Sequence, residues 1–357
     1  MPLSNDVIEA KRTLSSRLLS IGAERGVVGR FPVLNVMAAA ESAGQNVHSV
    51  GVGFKIVEGK LTEEPCVRLY VVQKLAASLL SPNDLLPSEV DGITTDVIES
   101  PPAFFLPNGG QAAGPPAAAS EACTNERRKR QRPVMAGISS AHFQVTAGTI
   151  ACFCRSTAEE DEPGAVFVLS NNHVFADVNR AQIGDDLYQP GPADGGTNSD
   201  RFAVLHRFVP IQLGGHTPNR VDAAIGKLLP GVQTDPEICT IGHITGIGVA
   251  EETTPVCKHG RTTGYTEGSV FDPSIDSLVG MDHSNSSIVA LFQNQLRIDV
   301  KPPFSAFGLG GDSGSLVVNQ ETREAVGLYN AGPSGGEYGL ANRIQDVLAE
   351  MQIELLT

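Results

Sequence analysis

The chain contains no tryptophan, and aromatic residues make up only 5% of it, within the composition of a soluble globular protein. It has no apolar run long enough to cross a bilayer as a helix, and its opening residues lack the pattern of a signal peptide. Six cysteines in 357 residues are too few and too scattered for a disulfide scaffold, and without an export signal reduced thiols are expected. Positive charge is scarce: 26 Lys and Arg face 40 Asp and Glu, and the resulting formal charge of −14 repels phosphate backbones. These absences lead us to expect a cytoplasmic protein with neither a nucleic-acid nor a membrane partner.

What is abundant is glycine and proline, 38 and 23 residues, which with 41% hydrophobic residues favour short strands and turns over long helices. The length suggests more than one domain. Residues 101–120, PPAFFLPNGGQAAGPPAAAS, have no sustained periodicity and read as a linker. They run into ERRKRQRP at 126–133, the only basic cluster, which reads most simply as a solvated tether and more sharply as a processing site or a contact for an acidic partner. The division is therefore a first domain at 1–100, a linker at 101–134 and a second domain at 135–357. In the first, Val7, Ala10, Leu14, Leu18 and Ile21 predict an amphipathic helix ending near Gly22, and 48–59, 65–74 and 91–100 read as strands. This small α/β domain has no catalytic constellation, since His48 stands alone and reads as a packing or surface residue. Its expected role is regulatory, with residues 1–134 available to a protein partner.

Beyond the linker, short β-rich runs alternate with turns. Residues 145–156 and 165–176 form a predicted hairpin across the acidic AEEDEPG, with Cys152 and Cys154 on one face as small buried hydrophobes rather than metal ligands. Only the last stretch changes period, where Ile344, Val347, Leu348, Met351 and Leu355 share a helical face behind a capping box of Asn342 and Gln345. The second domain is thus all-β with a C-terminal helix. No metal or cofactor site is expected.

One stretch, GLGGDSGSLVV at 308–318, carries more glycine than a core strand needs. A serine hydroxyl becomes a nucleophile only beside a base that a third group orients, and it needs donors for the oxyanion. Gly311 and Gly314 let the loop bend so that the amides of Gly311 and Ser313 converge. A base is offered by His173 in VLSNNHVFA, at the end of an apolar strand. A buried orienting carboxylate is offered by Asp222 in NRVDAAIGKL, where an unpaired charge would be costly.

The order His173, Asp222, Ser313, in SNNH, VDAAI and GGDSGS, resembles the chymotrypsin-like (trypsin-fold) serine peptidases over roughly 135–350. GRTTGYTEG (260–268), YQPG (188–191) and GLAN (339–342) are similar to an intracellular bacterial branch of that fold, distantly related to the plant narrow-leaf proteins, whose members often carry an extra N-terminal domain. The resemblance implies an all-β double β-barrel, with His173 and Asp222 from one barrel and Ser313 from the other. It implies that Ser313 is the nucleophile, His173 the base and then acid, Asp222 its orienter, and the Gly311 and Ser313 amides the oxyanion hole. Asn330, Ala331 and Gly332 would pair with the backbone of a protein or peptide substrate. Phe307 and Gly339 would border the pocket for the residue before the scissile bond, which carries no charge and so suits small or apolar side chains. Two features depart from the pattern. Asn171 and Asn172 replace the usual small residues before the histidine, and no Ile-Val-Gly-Gly start exists to pair with Asp312. The nearest stretch, AGISSAHF at 136–143, follows the basic cluster, which raises cleavage at Arg130 or Arg132 as an activating step against activation without proteolysis. A catalytically silent peptide-binding module is the rival reading of the whole chain.

Overall fold

The computed structural model describes residues 3–19, 46–80, 82, 85–105, 122–281 and 288–357. They cluster into two compact units: Met1–Phe104 with Gln212–Asn219 and Phe271–Arg297, and Phe105–Ile211 with Arg220–Val270 and Ile298–Thr357.

In the first unit the helix Asn5–Leu18 buries Val7, Ala10 and Leu14 as their spacing predicts. It stops before the expected end, and Ile21 lies outside the described residues. Lys11 is buried on the same face, where its ammonium meets Asp276 at 2.6 Å and Ser274 at 3.0 Å. The sheet is built on the hairpin Val47–Val57 and Lys60–Val71, whose turn residues Glu58 and Gly59 both have positive φ, 51° and 76°, as a type I′ turn requires. Ile93–Glu99 adds parallel to the second strand, and residues Asp276 and Ser277 pair with the first. His48 is buried between Ser49 Oγ and the Ser100 carbonyl, both at 2.9 Å, and burial pushes its pKa down to about 4. Of the packing and surface roles its isolation suggested, it takes the packing one.

The longer sheets form two barrels. In the first, Ser139–His142, Asp186–Tyr188, Arg201–Phe208, Ala224–Leu228, Val166–Ser170 and Cys152–Ser156 lie side by side in antiparallel order. Two backbone bonds, Gly137 N–H to Ile150 O at 2.8 Å and Ile150 N–H to Ile138 O at 3.0 Å, draw its ends together. In the second, Pro255–Gly260, Gly264–Gly280, Val289–Val300, Tyr338–Arg343, Glu324–Ala331 and Leu316–Asn319 form a ring closed by the pairing of Leu316–Asn319 with Pro255–Gly260. The all-β double barrel is therefore present, and the helix Ile344–Met351 follows its last strand. Phe153, Phe167, Leu205, Ile225, Leu316 and Leu328 belong to one apolar core that the helix completes with Ile344, Val347 and Met351.

Several expectations change. The hairpin forms, with Phe153 opposite Val168, but its strands are only Cys152–Ser156 and Val166–Ser170. The C-terminal helix ends at Met351 because Gln352 turns left-handed at φ 49°, and Ile353–Leu355 returns as a strand on Cys152–Ser156, so Leu355 leaves the helical face. No capping box forms: Asn342 bonds the Leu328 carbonyl instead, and Gln345 bonds that of Gly248. Cys123 and Cys239 are joined in a disulfide, so the thiols are not all reduced. Cys152 and Cys154 are buried as expected, and burial raises the first to about 12.

The basic cluster is not a solvated tether. Arg127 and Arg128 donate from Nε to the Arg261 carbonyl at 3.0 and 3.1 Å, and Arg130 pairs with Asp200 at 3.3 Å. Arg132 reaches Gln189 Oε1 at 2.6 Å. The barrel loops supply enough acceptors to hold the segment down. Among the described residues no helix is long and apolar enough to cross a membrane.

Candidate active site

His173 is carried by the strand Val166–Ser170 into a single helical turn, Asn172–Phe175. The two asparagines that depart from the expected pattern fasten this turn. Asn171 donates to the Asp222 carbonyl at 2.7 Å, and Asn172 donates to the Val209 carbonyl at 2.7 Å and to Asn179 Oδ1 at 2.8 Å. Asp222, fully buried just ahead of the strand Ala224–Leu228, lies with Oδ2 2.5 Å from His173 Nδ1 while its Oδ1 accepts the His173 backbone N–H at 3.2 Å. A carboxylate accepts, so Nδ1 carries the proton and the lone pair of Nε2 is left for another donor. Asn342, from the GLAN stretch, holds the same aspartate by its backbone, accepting the Asp222 N–H at 3.0 Å.

Ser313 sits in the loop before Leu316–Asn319. Gly311 and Gly314 have φ of 95° and 94°, and a Cβ on Gly314 would stand 2.3 Å from the Thr149 carbonyl oxygen, so no other residue suits that position. The Ser313 hydroxyl points to the Asn330 carbonyl at 3.4 Å, and no Ser313–His173 hydrogen bond occurs among the described residues. Histidine and aspartate are thus brought together, and the serine hydroxyl is directed to Asn330.

Asp312 explains the GRTTG stretch. Its Oδ1 accepts the N–H groups of Thr262 and Thr263 at 2.7 and 3.1 Å, and its Oδ2 accepts from Leu309 N–H at 2.9 Å and Thr263 Oγ1 at 2.8 Å. The fully buried Lys258 ammonium lies 3.7 Å from Oδ2 and donates to Thr263 Oγ1 at 2.6 Å. Burial lowers the lysine's pKa, and the Asp312 charge works against that shift. The carboxylate is already engaged without an inserted chain end, and residues of 136–143 are committed to strands.

Of the residues expected around the substrate, Phe307 and Gly339 meet at one ring that the sequence reading missed, Tyr329. A Cβ on Gly339 would lie 2.6 Å from Tyr329 Cε2 and 2.8 Å from Phe307 Cδ1. Cβ atoms on Gly308 and Gly332 would lie 2.8 and 3.1 Å from the Tyr329 hydroxyl. The phenol therefore fills the space that three glycines leave open. Its hydroxyl is buried without a hydrogen-bond partner among the described residues, and burial raises its pKa well above the usual tyrosine value, so it stays a neutral donor. Asn330 and Ala331 are buried at the end of the strand Glu324–Ala331, with Gly332 following. The sequence signal for Tyr329 was available in the three glycines, but only the fold gathers them.

Phe105 was also missed. Its ring stacks on the His173 imidazole with centroids 4.1 Å apart and planes 22° apart, leaving the histidine side chain 12% exposed.

Two barrels in this strand order, with histidine and aspartate supplied by one and a glycine-bounded serine by the other, define the chymotrypsin-like serine protease fold. Comparison with known proteins meets the resemblance read from the sequence. The NARROW LEAF 1 N-terminal domain family matches residues 36–98. Protein NARROW LEAF 1 of Oryza sativa subsp. japonica is 24% identical over 294 residues, which is 75% of this chain and 47% of the rice protein, so the chain spans about half the length of that relative. Among solved structures, Thermobifida fusca Protease A is similar at 15% identity and a TM-score of 0.44, covering 63% of this chain and 98% of its own. A glutamic acid specific serine protease is similar at 15% identity and 0.45, covering 62% of this chain and all of its own.

Proposed function

We propose that this chain is a serine endopeptidase that cleaves protein or peptide substrates through an acyl-enzyme intermediate, with Ser313, His173 and Asp222 as its triad. The reading is carried by the buried Asp222 carboxylate 2.5 Å from His173 Nδ1, which fixes the tautomer that a general base needs. The Ser313 hydroxyl rotates from the Asn330 carbonyl to His173 Nε2, a change of rotamer. Its oxygen attacks the scissile carbonyl while His173 takes the proton, and the oxyanion is held by the Gly311 and Ser313 amides. His173 then protonates the leaving amine as the C–N bond breaks, and water repeats the sequence on the ester. The Phe105 ring lies against the imidazolium that forms in between, an arrangement that favours positive charge.

The substrate backbone would add to Asn330–Gly332 as an edge strand. Phe307, Tyr329 and Gly339 restrict the residue before the scissile bond to a small side chain. Activation without proteolysis is supported by the Lys258 ammonium already facing Asp312. Regulation is assigned to residues 1–134 or to a partner that binds them. One observation favours the rival reading of a silent peptide-binding module, namely the serine hydroxyl resting on Asn330 while Phe105 covers His173.

The test is labelling by a fluorophosphonate, read by intact mass. One adduct on the wild type and none on Ser313→Ala or His173→Ala is expected, since loss of a triad member costs on the order of 10⁴ to 10⁶ in rate. Replacing Arg130 and Arg132 by glutamine should leave labelling unchanged. Folded wild type that takes no label would favour the silent module.

A further inference from the structure

The two amides assigned to the oxyanion belong to the Gly310–Gly311 and Asp312–Ser313 peptides, neither of which is cis. In a trans peptide the carbonyl and the N–H point to opposite sides, so whatever pins the carbonyl also aims the amide. The Gly310 carbonyl accepts from Thr262 Oγ1 at 2.6 Å. The Asp312 carbonyl accepts from Ser315 twice, from Oγ at 2.6 Å and from N–H at 3.0 Å. Neither the Gly311 nor the Ser313 N–H has an acceptor among the described residues. Both are left facing away from the pinned carbonyls.

We propose that Thr262 and Ser315 are positioning residues that keep the oxyanion hole formed before substrate arrives, Thr262 aiming the Gly311 amide and Ser315 the Ser313 amide. The proposal rests on the peptidase reading above. The glycine pair makes such a device necessary, because a peptide between Gly310 and Gly311 can flip at little steric cost and put a carbonyl oxygen where a donor is needed. Thr262 is itself held firmly. Its N–H is on Asp312 Oδ1 at 2.7 Å, its hydroxyl accepts from Arg261 Nη1 at 3.2 Å, and its carbonyl accepts from Arg127 Nη2 at 3.2 Å. The basic cluster thus supports the turn that aims the amide. Ser315 stands in the GGDSGS motif, where its hydroxyl has no part in the triad.

Thr262→Val keeps the shape and the backbone bond to Asp312 and removes only the hydroxyl. The rate of fluorophosphonate labelling of Ser313, whose phosphoryl oxygen enters the same hole, should fall about 10- to 100-fold, short of the full loss of a donor. Thr262→Ser should recover most of the wild-type rate with an unchanged melting temperature, and Ser315→Ala, which keeps one of two bonds, should fall less than Thr262→Val. A merely structural role would lower the melting temperature and leave the rate of the folded fraction unchanged. Thr262→Val labelled at the wild-type rate, or Thr262→Ser as slow as Thr262→Val, overturns the proposal while the peptidase reading stands. A wild type that takes no label overturns both.

Discussion

On the proposed function, Tyr329 decides how much of a substrate side chain fits beside Ser313. Its phenol occupies the ground between Gly308, Gly332 and Gly339, so the residue before the scissile bond should be glycine, alanine or serine. Tyr329→Val should open that space. We expect the variant to gain at least about tenfold in the ratio of phenylalanyl to alanyl phosphonate labelling, the scale of a few buried methylene groups. Equal rates for both probes on the wild type would sink this assignment. At this scale the sequence was most informative for His173, Asp222 and Ser313, the proposed triad, because they stand in short, chemically unusual settings. It was silent on Thr149, Lys258 and Phe105, because threonine and phenylalanine are common in any core and a lysine reads as a surface residue. Their significance comes from what they touch, such as the 2.9 Å bond from Thr149 Oγ1 to the Gly311 carbonyl.

Among the elements, the segment that leads into the first barrel is held both by charge and by a covalent bond. The helix Ala122–Glu126 carries Cys123, bonded to Cys239, and the arginines that follow cap the carbonyls of Arg261 and Thr262. Alkylation in denaturant should therefore count four thiols without reductant and six with it. Six without reductant would show that the pair is open in the isolated protein. The sequence concealed this docking because its partners are backbone carbonyls 134 positions away, which leave no mark on residue type. The C-terminal helix was misjudged for a different reason. Leu355 satisfies a period of 3.6, but periodicity cannot see the left-handed Gln352 that ends the helix before it.

Across the whole molecule, two buried histidines set an acid limit. Burial depresses His48 in the first unit and His259 in the second to about 4, the latter held with its Nδ1–H on the Gly137 carbonyl at 2.7 Å. Both are neutral when folded and gain protons when unfolded. Their folded pKa values lie below the unfolded 6.5, so stability is complete above that pH and declines as pH falls towards 4. Each should contribute a loss on the order of 3 kcal/mol by pH 4. Urea unfolding between pH 4 and 7 should show this slope, and His259→Gln should flatten its share of it. An unchanged slope in that variant would place the acid sensitivity elsewhere.

The ammonium that faces Asp312 belongs to a residue in the middle of the chain. A chain end made by a cut would mark a moment, before which the protein is inert. An interior lysine marks none, since the pair forms as the barrel closes around it. On the proposed function, folding and arming are one event, with no precursor to store and none to detect. Control of such a protein then falls on what is allowed to reach it, the role proposed for residues 1–134 or their partner, and on how many copies exist and how long each lasts.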